Sequence, residues 1–124
     1  MKVALLDVYK HNLLELEVNN ELDLDEMYKL LNCHCIDITR RKVSGTTYDI
    51  ICDDEGLLTD YPIPSAVDKS LHVALVGNLL FTHTDNNGNT VGITHEEYID
   101  LYNQLLISFS PKIAFPLVVM QLDE

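Results

Sequence analysis

The chain is 124 residues long, 47% hydrophobic, and carries 20 acidic against 8 basic side chains, a formal charge of −12. That length suits one domain with a core of its own, and so acidic a surface repels phosphates, which sets direct DNA or RNA binding aside. Three cysteines form no disulfide framework, no run reaches the ~20 apolar residues of a spanning helix, and Asp7 cuts short any apolar signal segment, so a cytoplasmic protein with no membrane contact is expected.

Residues 2–9 and 12–18 are apolar-rich runs separated by Lys10 and His11, and the second alternates Leu14, Leu16 and Val18 with Glu15 and Glu17. A period of two is that of a half-buried strand, so the pair reads as a hairpin. Asp23 is then placed to cap a helix over 24–31 ending near Asn32, with Glu26 at the reciprocal capping-box position and Leu22 and Met27 as a hydrophobic staple. A strand over 33–39, a loop from Arg40 to Gly45 and a return strand over 46–52 follow, closed by the acidic turn Asp53, Asp54, Glu55, Gly56.

Residues 57–70, with Pro62 and Pro64, read as an irregular crossing loop. The clearest stretch comes next. A strand over 75–84 with Gly77 inside it meets the turn residues Asn86, Asn87, Gly88 and Asn89, and a short strand returns. Thr94 is an N-cap with Glu97 at the capping-box position, stapled by Ile93 and Tyr98. Tyr98, Leu101, Tyr102, Leu105 and Phe109 recur at helical spacing, so the helix is expected to continue until Pro111 stops it. A last strand over 115–120 contains Pro116, which suggests an edge position or a first residue. The expected fold is therefore a single α+β domain over 1–124. It has a mostly antiparallel twisted sheet of about five to seven strands, with two amphipathic helices packed on one face.

The residues that invite chemistry have plainer uses. Cys33, His34 and Cys35 are metal-ligating types, but in extended backbone His34 points away from both cysteines and no second cluster at ligand spacing follows. Asp85 to Asn89 followed by Glu96 has the composition of a calcium loop, yet Thr90 stands where that loop requires glycine. The five histidines are dispersed, no nucleophile elbow is present, and acids around the thiols would raise their pKa. No metal, cofactor or enzymatic activity is expected.

The segment from Ile51 to Leu58 (Ile-Cys-Asp-Asp-Glu-Gly-Leu-Leu), the strand Val76 to Phe81 (Val-Gly-Asn-Leu-Leu-Phe) and the helix start Gly92 to Glu97 (Gly-Ile-Thr-His-Glu-Glu) occur in this order along the chain. In this the sequence resembles the small-protein family known as domain of unknown function 3846. It departs from that family's pattern between Leu57 and Ser70, where Tyr61, Pro62, Ile63 and Pro64 stand. The resemblance implies a phage or mobile-element setting and assigns no activity to any residue.

The leading functional expectation is thus a non-enzymatic interaction protein, a counter-defence inhibitor that occupies a basic nucleic-acid-binding surface of a host protein. Asp49, Asp53, Asp54, Glu55 and Asp60 would make the contacts, because residues 48–68 hold six acids and no base. The alternative is a protein that binds or sequesters a nucleotide signal, with Arg40, Arg41 or Lys42 on phosphate and Tyr48 or Tyr61 stacking. A homodimer through the C-terminal strand is a third reading, since an exposed apolar edge pairs with its twin.

Overall fold

A computed structural model describes residues 1–58, 62–108 and 116–124. The first hairpin is β1 (Lys2–Asp7) and β2 (Asn12–Glu17), followed by α1 (Leu24–Leu31). Asp23 caps α1 as its spacing predicts, accepting from the Glu26 N–H, and Asn32 closes the helix in the left-handed region at φ 53°. Glu26 differs from expectation. Its carboxylate accepts from the Asn19 side-chain amide rather than reaching back to the cap.

β3 (Ile36–Val43) and β4 (Thr46–Asp53) pair along their whole lengths, so Arg40, Arg41 and Lys42 lie on a strand and not in a loop. The connection is two residues, Ser44 at φ 49° and Gly45 at φ 82°. Two successive positive φ values match the right-handed twist of the flanking strands, which lets the ladder run to the tip. A 3₁₀ turn at Gly56–Leu58 leads toward β5 (Pro64–Val67), with Pro64 as its first residue, and β6 (Val73–Val76). The expected strand over 75–84 is broken at Gly77 and Asn78. β6 belongs to one sheet and β7 (Leu79–Thr84) to another, and the buried Asn78 side chain accepts from the Val8 N–H at 3.0 Å where the chain crosses.

β8 (Thr90–Val91) returns against β7, and α2 (His95–Asn103) starts in the expected capping box of Thr94 and Glu97. α2 stops eight positions before Pro111, because Leu105 to Ser108 is a strand, β9 (Leu105–Ser108), whose partner is β10 (Leu117–Gln121). The expected helical position of Phe109 lies outside the described residues. β10 is flanked by β5 on one side, in parallel, and by β9 on the other. It is an inner strand, so the edge on which C-terminal dimerisation rested is not there.

The strands form two sheets instead of one. The first has the order β2-β1-β7-β4-β3, with β8 also on β7, and is antiparallel throughout; the second has the order β6-β5-β10-β9. The helices lie on opposite faces of the first sheet. Val3 and Leu5 of β1 pack with Ile51, Leu80 and the α1 residues Met27 and Leu31. Ala4 and Leu6 point the other way, to Ile50, Phe81, the α2 residue Leu101, and Ala66 and Met120 of the second sheet. Successive strand side chains alternate between faces, so the first sheet is a middle layer, between α1 and the layer made by α2 with the second sheet.

Two tight contacts lock this arrangement. Ile93 N–H donates to the Lys2 carbonyl at 2.7 Å, and a Cβ on Gly92 would come within 2.4 Å of that same oxygen. At the other side of the sheet, Asp123 donates its N–H to the Lys42 carbonyl at 2.9 Å. Its carboxylate accepts from Ser44 N–H at 2.8 Å and Gly45 N–H at 2.9 Å, fastening the residues after β10 onto the β3–β4 turn.

Candidate functional site

The three bases of β3 do not converge. In the β3–β4 register Arg40 faces Asp49, Arg41 faces Tyr48 and Lys42 faces Thr47, so Arg40 and Lys42 stand on the α1 face and Arg41 on the opposite one. Arg40 Nε donates to Asp49 Oδ1 at 3.2 Å, and Arg41 Nε donates to the Thr39 hydroxyl at 3.1 Å. Tyr48 is 1% exposed, packed edge-on against Phe81 and stacked on His83. Burial, and then the negative charge of Glu97, push its phenol up to about 12. No face of its ring is open to stack on a nucleotide. Tyr61, the other expected stacking residue, and Asp60 lie outside the described residues.

Asp49 likewise leaves the acidic surface on which it was expected. It is buried, with the Thr84 hydroxyl donating to Oδ2 and the Thr82 hydroxyl donating to its backbone carbonyl at 2.9 Å. Burial by itself would raise its pKa; the Thr84 hydroxyl and the Arg40 guanidinium outweigh that and hold the carboxyl below the ordinary range. Its acceptor capacity is spent inside the fold.

A polar group that sequence reasoning missed joins β7 to α2. His83 Nε2 and Glu97 Oε2 are 2.7 Å apart, while Glu97 Oε1 accepts from the Thr94 N–H at 2.8 Å. Burial opposes the charge on Glu97, but the Thr94 N–H and His83 together lower its pKa. One carboxylate thereby caps α2 and ties it to the sheet. The capping-box spacing was visible in the sequence; the histidine partner, 14 positions earlier, was not.

Asp53, Asp54 and Glu55 do form a corner at the end of β4. The Asp53 carboxylate accepts from the Glu55 N–H at 2.9 Å, and the Asp54 N–H donates to the Cys35 carbonyl at 3.1 Å, which fixes the turn against the start of β3. Among the described residues no ion pair involves Asp37, Asp53, Asp54 or Glu55. Directly after them Leu57 and Leu58 are 75% and 79% exposed. The corner also suppresses thiol chemistry. Cys35 is raised by its hydrogen bond to Glu55 and by the charge of Glu55, Cys33 by burial and then Asp53, and Cys52 to about 11 by burial and then Asp37. Cys33 is buried whereas Cys35 is exposed, and among the described residues no three histidine, cysteine or carboxylate side chains gather as a metal site. No helix among the described residues is long and apolar enough to cross a membrane.

No curated protein and no solved structure matches the chain. The family resemblance read from the Ile51, Val76 and Gly92 segments is borne out. The profile of that family, Domain of unknown function (DUF3846), matches residues 1–106, and the chain belongs to it.

Proposed function

We propose that this protein acts by binding rather than by catalysis, as an acidic interaction protein whose corner at Asp53, Asp54 and Glu55 docks on a basic surface of another protein. The observation that carries this reading is the corner itself: carboxylates with no ion pair among the described residues, beside two leucines that are 75% and 79% exposed. Carboxylates supply steering and specificity, and burial of an exposed leucine adds roughly 1.5–3 kcal/mol each. Asp49 has no part in it. In a phage or mobile element acting in the host cytoplasm, such a surface would compete with nucleic acid for a basic channel, which is how a counter-defence inhibitor works.

Retention of lysate proteins on the immobilised chain tests this, at about 0.1 M and about 1 M salt, between which the screening length falls from ~10 to ~3 Å. Basic proteins should be held at low salt, released at high salt, and displaced by added single-stranded DNA. Retention of nothing at either salt contradicts the proposal.

A further inference from the structure

Beside the acidic corner runs a groove of about 230 Å³, with the whole of β6 as one wall and the end of β4 as the other. β6 is the last strand of the second sheet, and among the described residues nothing pairs with its outer side. A strand in that position presents unpaired N–H and C=O groups to whatever lies in the groove. Val73, Leu75 and Leu57 give the lining an apolar side, and Asp37, Asp53 and Asp54 give it a carboxylate rim without a described cation. One end is closed, since a Cβ on Gly56 would come within 2.9 Å of the Val76 side chain. The other end is open, where Val73 is 55% exposed and Leu71 63%.

These features select one occupant. An extended segment satisfies an edge strand through its main chain. A lysine or arginine lays its aliphatic stem on apolar surface while its head meets carboxylates. A second copy of this chain would bring a further −12 of charge to the same rim. We propose that the groove between β6 and the β4 end receives an extended, lysine- or arginine-bearing segment of the partner protein, added as a strand on β6. This rests on the reading of the corner as a protein-docking surface, and names the part of the partner that enters.

The test is fluorescence anisotropy with the labelled peptide acetyl-Thr-Lys-Val-Arg-Thr-Lys-Val-amide. Two companions are used, one N-methylated at every backbone amide, which keeps the charges but has no edge able to pair with a strand, and one with glutamine for each base. The Val73→Arg chain places a cation at the groove mouth on an exposed position, and its circular dichroism and Tm verify its fold. The parent peptide should bind, each companion at least tenfold more weakly, and Val73→Arg should weaken the parent peptide at least tenfold. No binding of the parent peptide at millimolar concentration overturns the assignment, as does equal binding of either companion or equal binding by the folded Val73→Arg chain. If Val73→Arg binds equally while Asp53→Asn/Asp54→Asn/Glu55→Gln does not, the groove assignment fails and the acidic-surface reading stands.

Discussion

Asp49 and Glu55 carry the same charge and stand six positions apart, yet the fold gives them opposite employment. Asp49 is held by Thr84, Arg40 and the β4–β7 ladder, so its replacement removes the acceptor shared by the Thr84 hydroxyl and the Arg40 guanidinium. Asp49→Asn should cost about 1–3 kcal/mol at pH 7. Because the folded-state pKa is depressed, the stabilisation is fully present above the ordinary carboxylate range and is lost as pH falls through the folded value. The difference between wild type and Asp49→Asn should therefore be constant near neutrality and shrink below about pH 4, as urea unfolding at a series of pH values would show. Glu55 is exposed, and its effect falls on the neighbouring Cys35 thiol. Glu55→Gln should lower that thiol's pKa and accelerate its alkylation by iodoacetamide at pH 7 a few-fold, while the buried Cys33 and Cys52 stay unreactive in the folded chain. Sequence alone could not separate Asp49 from the acids of the corner. Asp49 follows Tyr48 as Asp53 follows Cys52, and only the register with Thr82 and Arg40 shows which is consumed.

At the scale of elements, turn and cap chemistry was legible because it is local. Asp23, Asn32, Thr94 and Glu97 all cap where their spacing predicts. The layering was misread, because the expectation put both helices on one face. Val3 to Leu6 of β1, Tyr48 to Cys52 of β4 and Leu79 to Thr82 of β7 are continuous buried runs, the mark of strands covered on both faces. They place the two helices on opposite sides of the first sheet, not on one. The end of α2 was hidden, because Leu105 continues the helical period of Tyr98 and Leu101 by coincidence while its backbone pairs with β10. Gly92 reads in the sequence only as a turn residue before the helix, since the close approach that requires it is to Lys2, distant in sequence. Gly92→Ala should push β1 and the α2 start apart, weaken the Ile93–Lys2 hydrogen bond and cost about 1–3 kcal/mol, visible as a lower urea midpoint at unchanged slope.

Across the whole molecule, the formal charge of −12 is spread unevenly in use. The basic strand β3 neutralises part of its own surroundings through Arg40, and several acids are occupied by turns, caps and histidines: Asp85 by the Asn87 and Asn89 N–H groups, Asp123 by the Ser44 and Gly45 N–H groups, Glu15 by His95. At the corner of Asp53, Asp54 and Glu55, carboxylates without described cations adjoin exposed leucines and the edge of β6, which nothing pairs among the described residues. General acidity and a docking site make different predictions, and one comparison separates them. Two chains that lose the same three charges are prepared, Asp53→Asn/Asp54→Asn/Glu55→Gln at the corner and Glu21→Gln/Asp25→Asn/Glu96→Gln at exposed positions elsewhere. Their retention of lysate proteins at about 0.1 M salt is measured beside wild type. The account predicts that the corner chain loses the retained proteins and the control chain keeps them; equal retention by both, or equal loss, would contradict it.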